Sequence, residues 1–349
     1  MDLTLVSEAS DPTRDAIDYL AREGIRYVVA PSLRGVRSDF ALSPGRGGLD
    51  SKILESLWPR RHDAEVLIAS RHHRGGQSLS RSFNRLLRRT LHLPFDDITG
   101  EVRLYRCSAL RRVELPDDRS SASVELLVRL YNEGFKIKEI PLEGLPNTEE
   151  RIFSQLASLV RLRRLRKSSH AADSDDRAFE SRVPLRRRWL ARRQETIVSY
   201  LEVDVPVLDV GCGSSRLIQA LSKGVGLDMS APKLRFLRGR ANAIVAGDLT
   251  RLPFRDGSFP QLVCSHVDVG SAYLEELRRI LRPHGTLVLG TPDSSSLRFH
   301  LLGRLAGLDA GKTSVNERGL RRDLEENGFR VDEIRRLYGA EMIVRAIRR

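Results

Sequence analysis

One stretch of the sequence, residues 206–221, constrains the fold more than any other. It reads PVLDVGCGSSRLIQAL, an apolar run followed by two closely spaced glycines and an amphipathic run. The pattern predicts a buried strand, a tight turn and a helix. Such a turn needs glycine because a Cβ would collide with a ligand lying against the backbone, and because sharp turns can demand positive φ. We therefore expect Gly211 and Gly213 to border a ligand site.

Later segments continue the same strand and helix alternation. Asp228 ends the next short strand, about 20 residues after the glycine turn, where an acid can accept hydrogen bonds from both hydroxyls of a ribose. Asp248 ends a third strand and precedes an apolar turn suited to an adenine. A fourth strand at 259–266 and a fifth at 285–291 enclose a helical pattern at 273–281. Successive units of this kind predict a parallel sheet of the Rossmann type.

A dinucleotide-dependent oxidoreductase is the main competing interpretation, because it also requires a glycine turn and a ribose acid. Its motif has a third spaced glycine, and Arg216 occupies that place here. The segment GDLTRLPF at 247–254 has no role in such an enzyme. The sequence therefore disfavours this alternative.

These motifs together resemble class I methyltransferases, specifically the small-molecule type called type 11, from Val205 to Arg349. The phrase LRRILRPHGTLVLGTPD at 277–293 resembles the fifth-strand signature of the family, with His284 where glycine is usual. The segments 328–331 and 341–346 resemble its final two strands. The resemblance implies an α/β, Rossmann-like domain with a seven-stranded, mostly parallel sheet, and S-adenosylmethionine as the cofactor.

The resemblance also implies roles for individual residues. In the family the glycine turn lies under the methionine part of the cofactor, the acid after strand two binds the ribose, and the acid after strand three reaches the adenine amine. The predicted cofactor-binding residues are Asp209, Gly211, Cys212, Gly213, Asp228, Met229, Asp248, Leu249 and Ser265. We interpret Cys212 and Cys264 as small buried hydrophobic residues.

The sulfonium of the cofactor already activates the methyl group, so the protein mainly aligns an acceptor and excludes water. An alcohol or amine acceptor would benefit from a general base, and His266 and Asp268 after strand four are the candidates. His266 is alternatively a structural residue at the rim of the sheet. The chain departs from the family pattern twice, because Ser215 replaces a third glycine and the usual histidine of the segment after strand four is missing.

The N-terminal half carries a second set of motifs. A predicted strand at 63–70 leads into the basic, glycine-containing loop RHHRGG, followed by RSFN at 81–84, DITGEVRLY at 97–105 and GFKIKEIP at 134–141. Over about Ser7 to Leu142 these segments resemble the second half of family 2 glycosyltransferases of the polyprenyl-phosphate sugar type. The resemblance implies a partial GT-A-like α/β domain.

This half departs strongly from that family. It begins near the family's second strand, and the stretch 40–48, FALSPGRGG, lacks the Asp-x-Asp turn that would hold a divalent metal. We therefore predict no metal site. A degenerate, non-catalytic domain kept for shape, acceptor binding or assembly is the favoured interpretation, and a working glycosyltransferase is the alternative.

Length and composition indicate a two-domain globular protein. A chain of 349 residues is longer than one hydrophobic core usually organises, and 40% of its residues are hydrophobic. The polar stretch 168–176 lies between two arginine-rich helical patterns and reads as a linker. We predict a glycosyltransferase-like domain at 1–145, a basic helical linker at 146–185 and a methyltransferase domain at 186–349. Three cysteines without paired spacing indicate neither a disulfide framework nor a zinc cluster, which favours the reducing cytoplasm.

A net charge of +13 favours an anionic partner, or else a basic, well-solvated surface. The sequence contains no run of about 18 apolar residues that would predict a membrane span. We therefore expect any membrane contact to be peripheral and electrostatic, at the inner face of an anionic membrane and through arginines such as those at 186–188. Nucleic acid is disfavoured, because no asparagine-proline-proline-aromatic motif follows strand four. The expected function is methyl transfer to a small-molecule, glycan or lipid-linked acceptor; glycosyl transfer and non-catalytic cofactor binding remain alternatives.

Overall fold

The computed structural model of the protein describes residues 2–6, 12–45, 48–71, 79–117, 121–145, 152–202, 204–265, 270–303 and 316–349. The chain divides into two compact units, Met1–Ala172 (unit 1) and Asp173–Arg349 (unit 2). This division falls inside the segment 146–185 predicted to be a linker. The first arginine-rich helix, Ile152–Arg166, thus belongs to unit 1, and the second, Pro184–Ser199, belongs to unit 2.

Unit 1 alternates strands and helices. Its strands are β1 (Asp2–Val6), β2 (Arg26–Ala30), β3 (Phe40–Ser43), β4 (Val66–Ser70), β5 (Arg103–Arg106) and β6 (Ile137–Pro141). Its helices are α1 (Arg14–Arg22), α2 (Ser51–Leu57), α3 (Leu79–Leu91), α4 (Cys107–Leu110), α5 (Ala122–Asn132) and α6 (Ile152–Arg166), and a 3-10 turn spans Trp58–Arg60.

The strands of unit 1 form one mixed sheet in the order β2-β1-β3-β5-β4-β6, in which β5 runs against its two neighbours. Helices cover both faces, so successive residues of the interior strand β4 enter different cores. Leu67 packs with residues of α1 and α2, whereas Val66 and Ile68 pack with residues of α3, α5 and α6. This explains why the first four residues of β4, 66–69, are all apolar instead of alternating with polar residues.

Unit 2 begins with two helices and continues with the strand and helix alternation predicted from the sequence. Its strands are β7 (Val207–Val210), β8 (Gly224–Asp228), β9 (Ala243–Ala246), β10 (Phe259–Ser265), β11 (Leu281–Pro292), β12 (Phe329–Leu337) and β13 (Glu341–Arg348). Its helices are α7 (Ser174–Ala178), α8 (Pro184–Ser199), α9 (Arg216–Ala220), α10 (Ala231–Leu237), α11 (Ser271–Ile280) and α12 (Glu317–Glu326), with a π-helical turn at Phe299–Gly303.

The seven strands of unit 2 form one sheet in the order β12-β13-β11-β10-β7-β8-β9. Strands β7 to β11 pair in parallel, and β13 runs antiparallel to β11 and β12. The chain moves outward from β7 through β8 to β9 and then returns to the other side of β7 with β10. This reversal makes the carboxyl ends of β7 and β10 the switch point where doubly wound sheets bind ligands. The predicted seven-stranded, mostly parallel Rossmann-like fold is confirmed for unit 2.

The two faces of this sheet have separate cores. Leu208 of β7 and Leu262 of β10 pack on the face covered by α11 and α12. Val207 of β7 and Val263 of β10 pack on the opposite face, with residues of α8 and α9. Alternation along β7 places Asp209 on the same face as Val207, which puts a carboxyl group inside a largely apolar layer.

Candidate functional site

The loop between β7 and α9, Gly211–Ser215, has the backbone conformation predicted for it. Gly211 has φ +73° and Gly213 has φ +56°, values in the left-handed region that favours glycine. The N–H groups of Gly211 and Cys212 both donate to the carbonyl of Leu227, at 2.8 and 3.0 Å. These bonds fasten the loop to the end of β8.

Ser215 replaces the third glycine of many relatives, and the backbone shows why this replacement is tolerated. Its φ is −63° and its ψ is 146°, a conformation open to any residue. The Ser215 hydroxyl accepts a hydrogen bond from the N–H of Leu217 at 3.0 Å and caps α9. His284 is the opposite case, because it occupies a position where glycine is usual and adopts φ +60°.

Asp228 ends β8 beside the glycine loop and is half-buried. Its Oδ2 accepts the N–H of Gly213 at 2.8 Å, and its Oδ1 accepts the N–H of Ser230 at 2.7 Å. One carboxylate therefore holds both the glycine loop and the start of the segment leading to α10. The side chain lies where the sequence predicts a ribose-binding acid.

Asp209 is 3% exposed. Burial and, to a smaller extent, the negative charge of Asp228 together raise the pKa of its carboxyl to about 7. Burial disfavours the charged form, so Asp209 holds its proton up to near-neutral pH.

The two cysteines of unit 2 are buried. Burial raises the pKa of the Cys212 thiol far above its usual range. A Cβ on Gly226 would lie 2.9 Å from Cys212 Sγ, so the thiol fills the space that this glycine leaves open. Cys264 lies in the core on the α11 face. Their environments are those of small hydrophobic residues, as expected from the sequence.

The remaining predicted residues follow β8, β9 and β10. Met229 is 77% exposed next to Asp228. Asp248 is exposed and accepts the N–H of Thr250 at 2.9 Å, while Leu249 is half-buried against the core. Ser265 ends β10 opposite Gly290, where a Cβ would lie 2.7 Å from Ser265 Oγ.

Strands β7 to β10 are parallel, so these residues and the glycine loop share one edge of the sheet. The predicted general-base candidates, His266 and Asp268, lie outside the described residues. Their roles stay predictions.

The sequence analysis missed two residues beside the glycine loop, Asp175 and Lys233, and the role of Ser214 within it. The Asp175 carboxylate of α7 accepts the N–H of Ser214 at 2.8 Å and pairs with the Lys233 ammonium at 2.9 Å. The N–H of Asp175 in turn donates to Ser214 Oγ at 3.2 Å. The acidic run DSDD at 173–176 was the only available signal, and it had been assigned to the linker.

The motif residues of unit 1 also come together. Three nitrogens of Arg71, at the end of β4, donate to the carboxylate of Asp97 at 2.6 to 3.0 Å. Arg71 and Asn84 both donate to the hydroxyl of Thr99, each at 3.0 Å. Glu139 accepts the N–H of Asp97 at 2.6 Å, and burial raises the pKa of Glu139.

A cavity of about 650 Å³ adjoins this network, lined by Ser70, Arg71 and residues 141–145. Within the described ranges, no group of three or more His, Cys, Asp or Glu side chains is arranged to hold a metal ion. The glycosyltransferase-like identity of unit 1 stays a prediction.

Some arginines of the two arginine-rich helices bind acidic or carbonyl groups within their own unit, and others are exposed. Arg161 pairs with Glu125 at 2.5 Å, Arg166 donates to the carbonyl of Leu91 at 2.8 Å, and Arg193 pairs with Glu341 at 2.6 Å. Arg163, Arg164, Arg182, Arg187 and Arg188 are exposed. In the part of the chain that the structure describes, no helix is both long enough and apolar enough to span a membrane.

Curated relatives were found for part of the chain. An uncharacterized 37.1 kDa protein in transposon TN4556 of Streptomyces fradiae is 33% identical over 161 residues, covering 38% of this chain and 47% of the relative. An uncharacterized protein of Methanocaldococcus jannaschii is 26% identical over 107 residues, covering 29% of this chain and 42% of the relative. The chain thus spans less than half the length of both relatives.

Solved structures with similarity to this chain include a methyltransferase of Thermotoga maritima, with a TM-score of 0.42 and 18% identity, covering 50% of this chain and 94% of that one. Magnesium protoporphyrin IX methyltransferase of Synechocystis, solved with bound S-adenosylhomocysteine, has a TM-score of 0.40 and 20% identity. The similarity covers 52% of this chain and 96% of that one.

A family model described as a methyltransferase domain matches residues 208–289, which run from β7 to β11. The matched range contains the glycine loop, Asp228, Asp248 and Ser265. Unit 2 therefore contains a class I methyltransferase domain, and its cofactor is S-adenosylmethionine.

Proposed function

We propose that unit 2 binds S-adenosylmethionine along the carboxyl ends of β7 to β10 and catalyses methyl transfer to a small-molecule, glycan or lipid-linked acceptor. The observation that carries this proposal is the anchoring of the glycine loop by Asp228. Gly211 and Gly213 have positive φ, and the N–H of Gly213 donates to the Asp228 carboxylate. A glycine backbone and an acid are thereby brought side by side at the switch point of the sheet.

The described residues suit the parts of the cofactor assigned to them. An ionised carboxylate has about four lone-pair sites, so Asp228 keeps acceptor capacity for ribose hydroxyls after binding two backbone N–H groups. Exposed Asp248 can accept from an adenine amine, with Leu249 beside it. The glycine loop would hold the methionine part, as the family resemblance implies. The cofactor supplies an activated methyl group, and these residues bind and orient it.

The acceptor side of the proposal rests on unit 1. The network around Arg71 and Asp97 and the adjoining cavity support binding of a glycan or lipid-linked sugar by unit 1. Unit 1 then contributes acceptor binding or assembly, and methyl transfer belongs to unit 2. His266 and Asp268 are the proposed general bases for an alcohol or amine acceptor.

The acceptor can be identified by incubating the protein with cell extracts and an isotopically labelled methyl donor, followed by mass spectrometry. We expect a labelled product with the wild type and with Asp204→Asn, a control that removes an exposed carboxylate from the same unit. Asp228→Ala should abolish most of the labelling. A protein that binds the cofactor yet never forms S-adenosylhomocysteine with any acceptor pool would be a non-catalytic binding protein instead.

Glycosyl transfer by unit 1 is the second candidate, favoured by the clustering of Arg71, Asn84, Asp97 and Thr99. The stretch 40–48 has no carboxylate for a divalent metal. We therefore expect no manganese- or magnesium-dependent transfer from a nucleotide sugar. Turnover of a nucleotide sugar that survives substitution of the unit 2 glycine loop would establish this activity and contradict our expectation.

Peripheral binding to an anionic membrane is a further part of the proposal. It is supported by exposed arginines of the two arginine-rich helices, since each basic residue near an anionic surface contributes about 1 kcal/mol. Screening by salt should release the protein. We expect co-sedimentation with anionic but not neutral vesicles, lost at high salt and on replacing residues 186–188 with glutamine. Equal recovery in the supernatant with both vesicles would refute membrane binding.

A further inference from the structure

The acidic segment at the start of unit 2, Asp173–Glu180, lies against the cofactor loop. The Asp175 carboxylate accepts hydrogen bonds from the N–H of Ser214 at 2.8 Å and from Ser214 Oγ at 3.2 Å. It also pairs with Lys233 Nζ at 2.9 Å. A Cβ built on Gly213 would overlap Asp175 Oδ2, so the carboxylate lies directly on the glycine backbone. Ser214 is fully buried in this arrangement.

A second set of contacts holds the same segment in place. Arg216 Nε donates to Asp176 at 2.8 Å, and Arg216 Nη2 donates to Glu180 at 2.8 Å. The Arg216 guanidinium also lies 5.2 Å from the ring centroid of Phe179. These contacts keep α7 over the loop without using the donors that hold Asp175.

The donors around Asp175 form a site for a carboxylate. A backbone N–H, a hydroxyl and an ammonium converge on one carboxylate, and charge-assisted bonds of this kind are the stronger class of hydrogen bond. S-adenosylmethionine has one carboxylate, on its methionine part, and the glycine loop is the part of the domain assigned to methionine. We infer that Ser214 and Lys233 form the subsite for the methionine carboxylate of the cofactor, and that Asp175 occupies this subsite until the cofactor displaces it.

This inference rests on the cofactor-binding part of the proposed function and is independent of the acceptor. Two carboxylates cannot occupy this subsite at once, because like charges repel at close range and both carboxylates need the same donors. The Asp175 side chain is 41% exposed, so it can leave the subsite without opening a core. Cofactor binding is therefore weakened by the work of releasing Asp175.

Calorimetric titration with two ligands tests the inference. S-adenosylhomocysteine carries the methionine-derived carboxylate, whereas methylthioadenosine has the nucleoside and sulfur but no carboxylate. In Asp175→Asn we expect affinity for S-adenosylhomocysteine to rise about twofold to fivefold, the upper part of the range for a partly solvated ion pair. Affinity for methylthioadenosine should stay unchanged. The control Asp204→Asn removes an exposed acid elsewhere in unit 2 and should change neither affinity.

Further variants make the result decisive. Asp175→Ala should repeat the gain seen with Asp175→Asn, and Lys233→Gln should weaken S-adenosylhomocysteine but not methylthioadenosine. Circular dichroism melting of each variant establishes that it is folded. Weaker binding of S-adenosylhomocysteine in both Asp175 variants would make Asp175 a ligand for the cofactor ammonium and would overturn the inference.

The failure of this inference is distinguishable from failure of the proposed function. If both ligands bind the wild type and the Asp175 variants change nothing, the subsite is wrong while the cofactor site stands. If neither ligand binds the folded wild type, the proposed cofactor site fails, and the carboxylate subsite fails with it.

Discussion

Replacing Asp209 with asparagine should change how the stability of unit 2 depends on pH. Burial, with a smaller contribution from the charge of Asp228, raises the pKa of Asp209 from an ordinary 3.8 to about 7. Between about pH 4 and pH 7 the unfolded chain has released this proton while the folded protein still holds it. The folded state binds more protons across that window, so the free energy of unfolding falls as pH rises and becomes level above about pH 7.

The size of the effect follows from the width of the window. Each pH unit changes the free energy of unfolding by about 1.4 kcal/mol for one proton, so a window from 3.8 to about 7 amounts to about 4 kcal/mol. Asparagine has nearly the shape of aspartic acid and no proton to release. We expect Asp209→Asn to be the more stable protein at pH 7.5, and to lose most of its advantage at pH 4.5.

Urea denaturation followed by tryptophan fluorescence measures this difference. The chain has two tryptophans, and Trp189 is the one in unit 2. Every protein compared also carries Trp58→Phe, so the fluorescence comes from Trp189 and reports the unfolding of unit 2. Asp204→Asn, which removes an exposed carboxylate, should follow the wild-type pH profile. Parallel profiles for the wild type and Asp209→Asn would refute the assignment of a raised pKa to Asp209.

Other substitutions test the site and its support. Asp228→Ala should weaken S-adenosylhomocysteine binding by about 1.5–3 kcal/mol in calorimetry, because charge-assisted bonds are lost; unchanged affinity in a folded variant would remove Asp228 from the site. Gly226→Ala should lower the free energy of unfolding by about 1–3 kcal/mol through overpacking against Cys212 Sγ, and an equal loss in a Cys212→Ala background would contradict that cause. Glu341→Ala should cost about 3–5 kcal/mol, because the 1% exposed carboxylate pairs with Arg193; a loss below about 1 kcal/mol would show the pair to be unimportant.

Much of unit 2 could be predicted from local patterns. The strand and glycine turn at 206–215, the acid ending β8 and the strand at Phe259–Ser265 each depend on neighbouring residues and on the periodicity of side chains. The positive φ of Gly211 and Gly213 followed from the need for a tight turn. These features depend on interactions within a few residues, so a single sequence contains the information.

The boundary between the units was harder to predict. The segment 146–185 is polar and basic in sequence, which is also the pattern of a linker. In the structure Leu159, Leu162 and Leu165 of α6 pack against helices of unit 1, and Leu162 is fully buried there. The many arginines make this packing hard to recognise from the sequence, because the long basic side chains on one face of α6 mask the pattern of apolar residues on the other face.

The sequence by itself thus determined the order of strands along the chain, the glycine turn, the acid that ends β8 and the acid that follows β9. Only the tertiary structure decided which distant residues join them. Asp175 contacts Ser214, 39 positions away, and Arg71 meets Asp97, 26 positions away. The pKa of Asp209 likewise depends on the layer that buries it. Such pairings depend on how the strands are ordered and how the helices cover the sheet, and no local periodicity encodes that arrangement.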